Sequence, residues 1–211
     1  MRYRKSIFPI YIYQYNLKNK NNILKKKLIP EIEQYLKDFP LSREIPEGWL
    51  TNNVITSWQK PINKKLFGDN NFIEDYYIEH FYDILGLKTR DSIQVCAPWF
   101  NYYSNGEWQE QHDHMDSGFL ETDSHFSAVH FLQFDSSIHQ PLRFFDPNSK
   151  VNRKYIRTDI YVPEIEEGDL IIFPSHLTHS VPPGNPTPDY ARITVSFNIT
   201  IRAEQNDQLC R

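Results

Sequence analysis

Between residues 191 and 202 apolar and polar side chains alternate without a break. Arg192, Thr194, Ser196 and Asn198 fall on one side, and Ile193, Val195, Phe197 and Ile199 on the other. A period of two marks a β-strand with two chemically distinct faces. The same grammar runs back to about Ser92. Ile93, Val95, Ala97 and Trp99 alternate, Ser104-Asn105-Gly106-Glu107 reads as a hairpin turn, and residues 108–114 resume extended structure. Residues 126–134, 142–145, 159–162 and 170–173 read as further short strands, the last entered through the turn Glu166-Glu167-Gly168-Asp169. Ahead of them the period is helical. Leu24, Leu28, Ile32, Tyr35 and Leu36 form one stripe, with Pro30 as a first-turn residue or kink. Ile73, Tyr77, Phe81 and Leu85 form a second over residues 71–85, opened by Asn70 or Asn71 and stopped by Gly86. Residues 6–15 (SIFPIYIYQY) read as a leading strand, and residues 40–70 as packed loop. Helices first and strands after make an α+β chain whose C-terminal part is a sandwich or barrel.

A chain of 211 residues is long enough for one domain with a buried core. The expected division is a strand plus helical support region over residues 1–90, a β core over 91–202 and a tail over 203–211. Seven glycines in no Rossmann or P-loop pattern exclude nucleotide folds of those kinds. The longest strongly apolar stretch, residues 7–13, contains Pro9 and is far short of a membrane span or a signal-peptide core. Two cysteines, Cys96 and Cys210, cannot staple a domain of this size, so a cytoplasmic setting is expected. Charge is uneven: the first 30 residues carry eight Lys or Arg and no acid, leaving 15 basic against 27 acidic side chains in the rest. Short runs such as Lys25-Lys26-Lys27 read as a solvated helix face, and no nucleic-acid module is present.

Seven of the eight histidines lie between residues 112 and 179. The dense cluster is Gln111-His112-Asp113-His114-Met115-Asp116. On a strand, His112, His114 and Asp116 share a face, so two of them can chelate one metal ion, with His179 as a third ligand from elsewhere. Two His and a carboxylate leave the opposite positions of the ion open, as in non-haem Fe(II) oxygenases. His130 reads as a packing residue, His176 as one that packs or caps its loop, and His125 and His139 as exposed. Arg192, with Thr194 and Ser196 on its face, suits a bidentate carboxylate.

The succession GEWQEQHDHMDS, FSAVHFLQF, LRFFDP, EEGDLIIFPSHLTHSVPPG and ARITVSFN resembles the iron(II)- and 2-oxoglutarate-dependent oxygenases, nearest the bacterial and phage branch of the prolyl-hydroxylase-like group. The resemblance covers about residues 92–200. It implies a double-stranded β-helix (jelly-roll, cupin-like) core with N-terminal helices packed on one sheet. It further implies Fe(II) held by an HxD and a distal His, 2-oxoglutarate and O2 as cosubstrates, and hydroxylation of a C–H bond with release of succinate and CO2. On these residues His179 is the distal ligand and Arg192 the carboxylate anchor, with Thr194 or Ser196 assisting. Two registers are open for the first motif. His114 and Asp116 form a literal HxD and are favoured on charge; His112 with His114 is the alternative, set by Trp108. Tyr103 or Asn101 takes the place of a tyrosine that relatives carry where His130 and Phe131 stand.

Two rival readings remain open. HxHxD also begins a zinc-hydrolase motif, and a β-helix can bind a ligand without chemistry. The organic or peptide substrate is not identified by the sequence.

Overall fold

A computed structural model of the chain describes residues 10–39, 53–58, 60–68, 71–85, 93–95, 98–115, 126–147 and 160–201. In chain order these form β1 (Tyr13–Asn16), α1 (Asn19–Asp38), β2 (Ile55–Thr56), α2 (Ile62–Phe67), α3 (Asn71–Tyr76), α4 (Ile78–Leu85), β3 (Ile93–Val95), β4 (Trp99–Tyr103), β5 (Gln109–His112), β6 (Phe126–Gln133), β7 (Arg143–Phe145), β8 (Ile160–Tyr161), β9 (Asp169–Pro174), β10 (His179–Val181) and β11 (Arg192–Ile201). A seven-stranded sheet has the order β1-β9-β6-β11-β4-β2, with β3 pairing the far end of β11; a four-stranded sheet has the order β5-β10-β7-β8. Every pairing is antiparallel. The fold is a double-stranded β-helix of α+β class.

The strict alternation of β11 is explained by what lies on each side of the large sheet. Ile193, Val195, Phe197 and Ile199 are fully buried against Leu24, Leu28 and Ile32 of α1 and against Phe81 of α4. Each such side chain contributes roughly 1.5–3 kcal/mol by leaving water. The rings of Tyr77 and Phe81 lie 4.9 and 5.8 Å from that of Phe197. On the opposite face Tyr103, Val129, Phe131, Ile171 and Phe173 meet Phe144 and Val181 of the small sheet. Helices thus cover one face of the large sheet, and the small sheet covers the other.

Two polar devices fasten the edges. The buried Asp169 carboxylate accepts from Gln14 Nε2 (2.7 Å), Asn16 Nδ2 (2.8 Å) and the Glu166 N–H (2.8 Å), locking β1 onto β9. Gly168, at φ +88°, turns the chain where a Cβ would lie 3.3 Å from Asn21 Cβ. Glu167 accepts from Lys25 (2.7 Å) and the Tyr190 hydroxyl (2.6 Å), so part of the basic N-terminal face is a helix pinned to the core. Among the described residues no helix is long and apolar enough to cross a membrane.

The structure departs from the sequence reading in several places. α1 carries Pro30 in its interior and not in its first turn, forgoing one intrahelical bond. The helix expected over 71–85 is two, α3 and α4, because Tyr77 turns inward and its hydroxyl meets His130 Nδ1 at 2.9 Å. The stretch 40–70, expected as loop, holds β2 and α2. Residues 104–107 do turn, with Glu107 accepting the N–H groups of Ser104 and Asn105 at 2.6 Å, but they join no hairpin. β4 belongs to the large sheet and β5 to the small one. A turn signal is local; it does not say which sheet receives the next strand. Residues 6–9, Gly86, Cys96, Ala97, Asp116, His125, the tail 203–211 and Cys210 lie outside the described residues.

Burial in the helix–sheet core pushes the His130 imidazole down to about 3. Unfolding returns it to an ordinary value near 6.5, so its stabilising share is complete above pH 6.5 and drains away as pH falls toward 3. Urea unfolding of wild type and His130→Gln between pH 7 and 4 should show a slope shallower in the variant by up to about 1.4 kcal/mol per pH unit. Parallel slopes would refute it.

Candidate metal centre

β5 and β10 are neighbours in the small sheet, and their register sets His112 opposite His179. Facing residues on antiparallel strands have Cβ atoms about 4.5–5.5 Å apart, so two imidazoles distant in sequence become adjacent. Their ring centroids are 4.2 Å apart. His114 lies just beyond the end of β5, where its N–H donates to the Ser175 carbonyl at 2.9 Å in the turn between β9 and β10. Its ring stacks on His112 at 5.4 Å and lies 5.0 Å from His179. One ring nitrogen from each of the three lies within 4.8 Å of the others.

Three oxygens decide which nitrogen that is. His112 Nδ1 lies 2.8 Å from the Glu110 carbonyl, His179 Nδ1 lies 3.1 Å from the Leu177 carbonyl, and His114 Nδ1 lies 2.7 Å from Asn198 Oδ1. These oxygens only accept, so each Nδ1 carries the proton and each Nε2 keeps its lone pair. Ser127 donates to the same Asn198 oxygen at 2.9 Å and helps hold it. Burial pulls all three imidazoles below their ordinary value, His114 to about 3 with help from His112, and His179 well down. They are therefore neutral, with no proton for a metal to expel. Phe173 and Phe144 pack on His179 at 4.9 and 6.0 Å, and Trp99 lies 5.8 Å from His114, giving the cluster an apolar wall.

The polar face of β11 points into the barrel. Arg192, Thr194, Ser196 and Asn198 are all buried, with Tyr103, Asn101 and Trp99 of β4 opposite Arg192, Thr194 and Ser196. Asn198 ends the row at His114, and Arg192 begins it. The Arg192 guanidinium carbon stands 4.4 Å from the centre of the Tyr103 ring and 5.3 Å from that of Phe131. Although Arg192 is only 3% exposed, its Nε and Nη1 have no hydrogen-bond partner, and burial draws its pKa down against the opposing Tyr103 phenol. A buried guanidinium with two nitrogens lacking an acceptor is costly; a carboxylate is the group that matches its fork. Asn101 Nδ2 reaches Ser196 Oγ at 3.5 Å, while its Oδ1 is also without a partner.

Of the candidates read from sequence, His112, His114 and His179 converge, and Arg192, Thr194, Ser196, Tyr103 and Asn101 share one buried polar row. Asp116 lies outside the described residues. His139, expected to be exposed, is buried: it accepts from the Asp135 N–H at 3.0 Å and donates to the Tyr190 carbonyl at 2.8 Å. His176, expected to pack or cap its loop, is exposed. Sequence reasoning gave no role to Asn198, although it lay in phase with Arg192, and missed Gln109, which is out of phase with His112.

Residues 97–198 match the sequence model of a family described as "Putative 2OG-Fe(II) oxygenase". Over that segment the chain is similar to the 2OG-Fe(II) oxygenases. The fold agrees with solved oxygenases at low identity. A Pseudomonas putida prolyl-4-hydroxylase aligns with TM-score 0.53 and 15% identity over 92% of this chain and 94% of that one. EctD from S. alaskensis, solved with 2-oxoglutarate and 5-hydroxyectoine, aligns with TM-score 0.59 and 16% identity over 91% and 72%. A Trichoplax adhaerens prolyl hydroxylase, in complex with a hypoxia inducible factor peptide fragment, aligns with TM-score 0.58 and 12% identity over 90% and 83%. No curated protein matches by sequence.

A 2OG-Fe(II) oxygenase takes Fe(II) and 2-oxoglutarate, and this donor set fits both. Three neutral imidazoles whose Nε2 atoms keep their lone pairs suit a divalent transition metal, and a buried guanidinium with two unsatisfied nitrogens suits a dicarboxylate. Replacing Asn198 by Leu removes the acceptor that orients His114. Metal titration of that variant should show affinity about 10- to 100-fold weaker than wild type. An unchanged affinity would show that Asn198 does not support the centre.

Proposed function

We propose that the protein is a hydroxylase in which His112, His114 and His179 hold Fe(II) and Arg192 receives the far carboxylate of 2-oxoglutarate. The observation that carries this reading is the convergence of three imidazoles, each fixed by an oxygen on Nδ1 so that its Nε2 keeps a lone pair. The chemistry such a centre supplies when loaded is oxidative decarboxylation of 2-oxoglutarate to succinate and CO2, coupled to hydroxylation of a substrate C–H bond. The chain's own residues hold and orient. Glu110, Leu177 and Asn198 keep each ring in one tautomer and one orientation. Phe144, Phe173 and Trp99 give the cluster an apolar side. Arg192, stacked on Tyr103, neutralises the C5 carboxylate; Thr194, Ser196 and Asn101 offer hydroxyl and amide groups along the same row.

The three-imidazole set is favoured over His114, Asp116 and His179 because His112 Nε2 already stands within the cluster. Three neutral imidazoles also suit zinc, but a zinc hydrolase has no use for a buried guanidinium waiting for a carboxylate. Mixed anaerobically with Fe(II) and 2-oxoglutarate, the protein should develop a visible charge-transfer band, and in air it should form succinate. Arg192→Ala should raise the 2-oxoglutarate concentration needed for that band about 100-fold, as expected for loss of one partner of a buried charge pair. An unaltered dependence would remove Arg192 from the site. Hydrolytic activity with zinc, and no band with iron, would favour the zinc reading.

A further inference from the structure

Gln109, at the start of β5, is buried with one hand on each end of the site. Its Nε2 lies 3.3 Å from His112 Nε2, and its Oε1 accepts from the Tyr103 hydroxyl at 3.2 Å. The orientation of the amide follows from its neighbours. Since the Glu110 carbonyl takes the Nδ1 proton of His112, His112 Nε2 is an acceptor and must face the NH2 end of Gln109. That leaves Oε1 for Tyr103, whose ring carries the Arg192 guanidinium at 4.4 Å. One amide therefore connects the nitrogen that would bind metal with the phenol beside the carboxylate anchor.

His112 Nε2 has a single lone pair. A metal ion and the Gln109 N–H compete for it, so metal loading frees the donor of a buried amide. An unsatisfied buried donor is costly. The new acceptors that a 2-oxoglutarate molecule brings are carboxylate and ketone oxygens, and a hydrogen bond from Gln109 to an anionic oxygen is stronger than the one lost to imidazole. We infer that Gln109 is a cosubstrate-binding residue that couples the two loading steps. It holds His112 Nε2 in the empty protein, opposes metal binding alone, and donates to 2-oxoglutarate once metal is in place. Metal and cosubstrate then strengthen one another's binding, and by linkage the coupling is reciprocal. This inference rests on the proposed three-histidine centre.

The test measures binding instead of turnover. Mn(II) is titrated anaerobically into wild type, Gln109→Leu and Tyr103→Phe, with the free ion followed by electron paramagnetic resonance, with and without saturating 2-oxoglutarate. Gln109→Leu should bind Mn(II) alone about fivefold more tightly than wild type, because one competing hydrogen bond is gone. The same variant should bind 2-oxoglutarate about tenfold more weakly, so that the gain in Mn(II) affinity caused by 2-oxoglutarate shrinks. Tyr103→Phe, which leaves the amide unanchored, should move both affinities in the same opposed directions by less. A purely structural role predicts that both affinities fall together, and that result overturns the inference, as does a Gln109→Leu variant identical to wild type. His112→Ala separates the two readings. If it leaves Mn(II) binding intact, the centre itself is misassigned; if it abolishes binding while Gln109→Leu changes nothing, only the role of Gln109 fails.

Discussion

The pairing of His179 with His112 across β10 and β5 is the contact on which the site depends. It brings together two side chains from strands that the chain reaches by separate crossings, and His114 joins them through its backbone bond to Ser175. A slip of one residue in that register would send one imidazole to the other face of the small sheet. The register is in turn held by the buried ring packing beneath it, where Phe144 and Phe173 lie 4.9 Å apart across the two sheets. The centre is thus a property of how the sheets face each other, and no single motif contains it.

β11 serves both halves of the molecule. Its apolar residues seal the helices onto the large sheet, and its polar residues run inside the barrel from Arg192 to Asn198. An interior row of this kind works against stability: Arg192 and Asn101 carry buried groups without partners, and the apolar alternatives would pack better. Such a cost is tolerated where a ligand completes the hydrogen bonds. The apolar clusters on both faces of the sheet supply the compensating burial.

Much of this was legible in the sequence because period-two alternation survives burial. The phase of Arg192, Thr194, Ser196 and Asn198 was plain, but its direction was not: an alternating polar face suits water as well as a cofactor pocket. Only the small sheet laid over it decides. The histidine cluster was legible as spacing, and the choice among its members was not, because metal geometry depends on cross-strand register and on what holds each Nδ1. Gln109 carried no periodic signal at all; its position three residues before His112 becomes meaningful only because the β5–β10 register shifts between them, setting Gln109 opposite Val181 and His112 opposite His179. The division of 71–85 into two helices was hidden for a similar reason, since Tyr77 kept the helical stripe while turning toward His130.

The central claim is that three imidazoles from β5, its end and β10 share one iron ion. X-ray absorption at the iron edge of the anaerobic Fe(II) protein counts the imidazoles bound to that ion. Three are expected; two imidazoles with a carboxylate oxygen would return the site to His114, Asp116 and His179.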